Sequence, residues 1–156
     1  MHAKKEKILL AAYTGFRDSG GEWPTYHQVE SRLARTGLPN VDEVARLIRR
    51  IPTTMMVPLG NYPSHPDPRE KVVLLVAGVA RLESGRDDVA NFIEAVRWLS
   101  ARVRNSDLPT GGGTPRMPVT AAQLAAALGL PLTDPNPINR LMALLRAEGL
   151  VLPDGH

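Results

Sequence analysis

The sequence predicts a mainly α protein in which two helical units, one at each end of the chain, are joined through a helical hairpin, with short strands only. Three observations carry that expectation. Apolar residues recur at i, i+3 and i+4 through most of the chain, two Thr-x-x-Gln sequences stand where helices should start, and glycine or proline punctuates the apolar stretches. With 156 residues and 43% hydrophobic side chains, the chain has enough apolar material for one ordinary domain or two small ones with a real core.

The first helix is expected over 4–17, where Ile8, Leu9, Ala12, Tyr13 and Phe16 share a face, Lys4, Lys5 and Lys7 supply a basic one, and Gly20-Gly21 ends it. A second helix opens at Thr25, because Thr25-x-x-Gln28 is a capping box in which each side chain satisfies an orphan amide. Val29 and Leu33 give it an inner face, and Gly37 closes it. Asn40 is placed to cap a third helix carrying Val41, Val44, Leu47, Ile48 and Ile51, which Pro52 stops. Residues 53–57 are β-branched and apolar enough for a short strand, and the Pro-rich stretch after them reads as a connector.

Two further helices are expected over 68–83 and 86–104. The first carries Val72, Leu75, Val76, Val79 and Leu82, the second Val89, Phe92, Ile93, Val96, Leu99 and Val103, and one apolar stripe on each predicts a hairpin. Residues 105–118, with Gly111-Gly112-Gly113, read as a loop by composition. Thr120-x-x-Gln123 is a second capping box, Val119 and Leu124 are spaced as a hydrophobic staple across it, and Gly129 is the stop. The last helix begins near Asp134 or Asn136, carries Ile138, Leu141, Met142 and Leu145 to Gly149, and leads to a closing strand at Leu150-Val151-Leu152. The expected organisation is therefore a unit over 1–58, a connector over 59–67, and a hairpin with a second unit over 68–156. Thr25, Gln28, Val29, Leu33, Gly37, Leu38 and Pro39 recur in type and order as Thr120, Gln123, Leu124, Leu128, Gly129, Leu130 and Pro131, read either as a structural repeat or as shared helix grammar.

Composition narrows the function classes. The absence of cysteine removes disulfides, Cys-based zinc sites, iron-sulfur clusters and thiol nucleophiles, and fits a cytoplasmic protein. The longest apolar run, 72–80, is about half of the roughly 20 residues a membrane span needs, and no signal-peptide pattern follows Met1, so no membrane partner is expected. Abundant Leu, Ala, Arg, Val and Pro with few lysines beyond residue 7 match a GC-rich bacterial genome. The net charge of +3 lies wholly in residues 1–66, which permits nucleic-acid binding without demanding it.

The segment Val119-Thr-Ala-Ala-Gln-Leu-Ala-Ala-Ala-Leu-Gly-Leu-Pro, followed by Ile138-Asn-Arg-Leu-Met-Ala-Leu-Leu-Arg-Ala-Glu-Gly-Leu-Val, resembles the winged helix-turn-helix units of bacterial transcription regulators. The likeness covers mainly residues 117–152 and extends more weakly, by element order alone, to 3–58. It implies a fold of two winged-helix-like units joined through a helical hairpin, with a recognition helix second in each helix-turn-helix. It departs from the pattern at the end, where only Pro153-Asp-Gly-His156 remains for the returning strand of a wing.

On that reading the candidate nucleic-acid contacts are Asn139 and Arg140 on the last helix, Arg46, Arg49 and Arg50 on the third, Arg32 and Arg35 on the second, and Lys4 and Lys5 on the first. Asp42 and Glu43 oppose them at the start of the third helix, as Asp134 does near the last. Trp23, Tyr26 and Trp98 read as core before base-stacking residues.

No catalytic residue, metal site or cofactor is expected. The four histidines are scattered, the triple glycine lacks the Lys-Ser/Thr of a phosphate loop, and Asp87-Asp88 sits in a first helical turn, where acids are ordinary. Two function classes remain. One is a non-enzymatic regulator that binds double-stranded DNA, as a homodimer through the hairpin. The other is a protein-interaction module, the N-terminal part of a larger bacterial protein. The fold resemblance favours the first, and the neutral C-terminal half and missing wing favour the second.

Overall fold

Both Thr-x-x-Gln sequences start helices in the computed structural model, which describes residues 3–35, 37, 41–57, 69–104 and 119–151. The Thr25 hydroxyl accepts the Gln28 amide at 3.2 Å while Gln28 Oε1 accepts the Thr25 amide at 2.9 Å, and Thr120 and Gln123 repeat the exchange at 3.1 and 3.0 Å. Among the described residues there are seven α-helices, α1 (Ala3–Asp18), α2 (Tyr26–Ala34), α3 (Val41–Arg50), α4 (Val76–Ala80), α5 (Arg86–Arg104), α6 (Ala121–Leu128) and α7 (Asn136–Ala147), with a 3₁₀ turn at Glu83–Gly85. The protein is thus mainly α.

The expected helix over 68–83 forms only as α4. Residues 70–75 run extended between two other short segments instead. The Tyr26 amide donates to the Glu70 carbonyl at 2.7 Å and the Val72 amide to Pro24 at 2.8 Å, while Val57 donates to Val73 and Leu75 to Met55, both at 2.9 Å. Antiparallel bridges pair Thr25 with Lys71 and Met56 with Leu74. Side-chain burial alternates accordingly: Val72 and Leu74 are buried, Lys71 is exposed and Val73 half-buried. This is the period-two pattern of a strand, and β-branched Val72-Val73 suits it. The spacing of Val72, Leu75, Val76 and Val79 mimics a helical stripe, but tertiary hydrogen bonds claim the backbone first.

Two consequences follow for the expected organisation. The helical hairpin keeps only a short first arm, α4, packed against α5, since residues 70–75 are extended. Residues 70–75, expected with the C-terminal unit, pair with the N-terminal one. The connector over 59–67 lies outside the described residues.

The apolar faces of α1, α2, α3, α5, α6 and α7 meet in one continuous core that includes Phe16, Leu33, Ile48, Met56, Leu74, Leu99, Leu124 and Leu141. Helix α1 packs against α2, α3, α4 and α7, and α5 packs against α4, α6 and α7. Two glycines let the halves approach. At Gly21 (φ +116) a Cβ would stand 2.9 Å from the Asn139 carbonyl carbon, and at Gly78 it would stand 2.4 Å from the Met55 oxygen. The closing strand reduces to Val151, which is buried; Leu152 lies outside the described residues.

Candidate nucleic-acid interface

Helix α3 presents arginines because its apolar positions are spent inward. Val44, Ala45 and Ile48 are buried, which turns Arg46, Arg49 and Arg50, at i, i+3 and i+4, to the exposed side. Arg49 Nε reaches back only to the Ala45 carbonyl, at 3.5 Å. Three guanidinium groups within about one helical turn, roughly 6 Å of helix axis, suit neighbouring phosphate groups.

The arginines of α2 sit differently. Arg32 is half-buried and its Nη2 pairs with Asp18 at 3.1 Å, whereas Arg35, at the C-cap of α2, is exposed. Both meet Lys7 at a shallow groove of about 280 Å³ between α1 and α2, whose walls also include Leu10, Ala11, Thr14 and Leu33. Lys4 is exposed and Lys5 half-buried on α1.

Arg140 is partly buried in an ion pair. Its Nε donates to both carboxylate oxygens of Asp88, at 3.1 and 3.0 Å, and its side chain is 12% exposed against 2% for Asp88. The Tyr13 hydroxyl completes the cluster, donating to Asp88 at 2.6 Å with the Ser84 carbonyl as an alternative acceptor at 3.3 Å. Burial, and then the bond to Asp88, push the Tyr13 phenol well above its ordinary range. Arg140 thus joins α1, α5 and α7 through Asp88. Asn139 remains exposed, but the backbone behind it lies against Gly21, and Asn136 Oδ1 would meet a Cβ on Gly20 at 2.6 Å. The start of α7 faces the turn after α1.

Compared with protein-family models, curated proteins and solved structures, the chain matches none.

The aromatic residues serve packing. Trp23 stacks on Phe16 with ring centroids 3.9 Å apart, Tyr26 is buried, and Trp98 is half-buried with Arg102 over its ring at 5.0 Å. Among the described residues no group of three or more His, Asp or Glu side chains is arranged to hold a metal ion, and no helix is long and apolar enough to cross a membrane.

Sequence reasoning missed the Tyr13–Asp88–Arg140 cluster and the Glu148 carboxylate, which accepts the Val76 amide at 2.8 Å at the start of α4. The residues concerned lie 52 to 75 positions apart. No local spacing encodes such a pairing. The one available signal was chemical: an acid in the same helical turn as Asp87 that falls on the apolar side of α5, one position before Val89.

Proposed function

We propose that the protein is a non-enzymatic module of the winged-helix type that binds duplex DNA through α3, as transcriptional regulators do, with Arg46, Arg49 and Arg50 on phosphates. The observation that carries this reading is the order of the N-terminal elements. Helix α1, residues 24–26, α2, α3, residues 55–57 and residues 70–75 succeed one another, and the last segment pairs between the other two extended ones. That is the order of a winged helix, in which the third helix is the recognition helix and the loop between the last two strands is the wing. The exposed arginine face of α3 supports the assignment independently.

The reading moves the contact surface from the C-terminal motif, where the sequence resemblance is better, to the N-terminal one, where the charge is. Helices α6 and α7 then serve as a packing partner, since Arg140 is spent on Asp88.

Fluorescence anisotropy with a random-sequence duplex at 50 and 200 mM salt tests it. Three phosphate contacts give a log–log slope near −2.7, about a 40-fold loss of affinity over that fourfold change in salt. Alanine at Arg46, Arg49 or Arg50 should each flatten the slope by about one unit. Absence of binding at the lower salt, or a slope indifferent to these substitutions, would refute the proposal.

A further inference from the structure

The groove between α1 and α2 has a composition that phosphate binding does not require. Lys7, Leu10, Ala11 and Thr14 fall at i, i+3, i+4 and i+7, so they form a second, outward stripe on α1, opposite the buried one of Ile8, Leu9, Ala12 and Phe16. Leu10 is 45% exposed, one of only a few large hydrophobic side chains so exposed among the described residues. Leu33 closes the floor from α2, and Lys7, Arg32 and Arg35 frame it. Among the described residues no acid lines this groove; Asp18, which pairs with Arg32, and Glu22 both belong to the adjoining one. The result is an apolar floor framed by three bases, of which Arg32 is paired with Asp18 and Arg32 and Arg35 also border the adjoining pocket.

Phosphates gain nothing from Leu10 and Leu33, and a volume of about 280 Å³ is below that of the usual small-molecule pocket, about 300–1,000 Å³. It has room for a pair of aliphatic side chains. We infer that this groove is a docking site for an acidic amphipathic segment of a partner protein, which seats a leucine-like side chain on exposed Leu10 and half-buried Ala11 and sets its carboxylates against Lys7 and Arg35. Charge complementarity selects the occupant: Arg32 already has Asp18 as its counter-charge, and a basic or neutral helix would have the same apolar fit but would offer none to Lys7 and Arg35. The site is distinct from the arginines of α3, none of which lines it, so the chain would hold DNA and an acidic partner through different residues of the same unit.

The test is an amide-shift titration of the full-length ¹⁵N-labelled chain with a synthetic helical peptide of glutamates carrying leucines at i and i+4, alongside a version with lysine for every glutamate. The expected result is saturable shifts over residues 7–14 and 32–35 with the acidic peptide and none with the basic one. Leu10→Ser and the pair Lys7→Glu with Arg35→Glu should each weaken binding about tenfold, from lost apolar contact and from charge reversal respectively. These residues are exposed, so thermal unfolding should confirm that the variants keep their fold. Saturable shifts that arise elsewhere, binding unchanged by the substitutions, or no saturation at all would overturn the inference. So would a random-sequence DNA duplex that shifts the same residues and is indifferent to Leu10→Ser, because the groove would then be an extension of a phosphate surface. Loss of DNA binding in the Arg46, Arg49 and Arg50 variants with peptide binding intact separates this inference from the proposal for α3.

Discussion

Replacing Asp88 by alanine should be among the most destabilising single substitutions in the C-terminal half. The carboxylate is 2% exposed and accepts one hydrogen bond from Tyr13 and a bifurcated one from the single Nε–H of Arg140. Its removal leaves Tyr13 a substitute acceptor in the Ser84 carbonyl at 3.3 Å, so the phenol recovers part of its bonding. Arg140 has no such substitute acceptor among the described residues. Breaking a buried pair in this way costs about 3–5 kcal/mol. The 12% exposure of Arg140 admits some solvent, which places the expectation at about 3 kcal/mol, the lower end of that range. For a chain of this length that corresponds to a fall of roughly 6–12 °C in Tm. Urea denaturation followed by circular dichroism gives the value directly, with Glu94→Ala as a control: that residue pairs with Arg97 at 2.8 Å, but the two are 59% and 72% exposed, and exposed pairs contribute little. Removing both charges together, as Asp88→Leu with Arg140→Met, should cost much less than the sum of the single changes, because neither partner is left buried alone. If Asp88→Ala costs no more than Glu94→Ala, or if the double change is simply additive, the cluster does not couple the helices as argued.

Four further outcomes follow from the same geometry. Tyr13 is protonated in both the folded and unfolded states below about pH 10, so its contribution to stability is complete there; at higher pH the unfolded phenol ionises first, because burial and Asp88 raise the folded value. Stability should therefore fall by about 1.4 kcal/mol per pH unit above that point relative to Tyr13→Phe, in paired urea titrations. Gly21→Ala combines a positive φ of +116 with a Cβ 2.9 Å from the Asn139 backbone, and should cost about 2–3 kcal/mol, whereas Gly129→Ala, with φ +71 and open space, should cost about 1 kcal/mol in the same denaturation assay. Thr25→Ala and Thr120→Ala each remove half of a capping box and should cost about 1 kcal/mol apiece, additively, because the two helix starts lie in different parts of the fold. Glu148→Ala frees the Val76 amide and should cost about 1–2 kcal/mol, with the loss of hydrogen-exchange protection concentrated at the start of α4.

The local features of this protein were legible in its sequence. Both capping boxes, the glycine stops at Gly20-Gly21 and Gly129, and the apolar faces of α1, α2, α3, α5 and α7 depend on residues within a few positions of one another, where backbone geometry and side-chain spacing suffice. The arginine face of α3 was legible for the same reason: with Val44 and Ile48 turned inward, Arg46, Arg49 and Arg50 must turn outward. Tertiary structure decided the rest. Residues 70–75 have a spacing compatible with helix or strand, and became extended because the Pro24, Tyr26, Met55 and Val57 backbones offered hydrogen bonds from both sides. Arg140 has the chemistry of a phosphate contact, and pairs with Asp88 because the fold buried that carboxylate beside it. A side chain's type limits the bonds it can form, but its partner is chosen by which distant segment the core brings within about 3 Å.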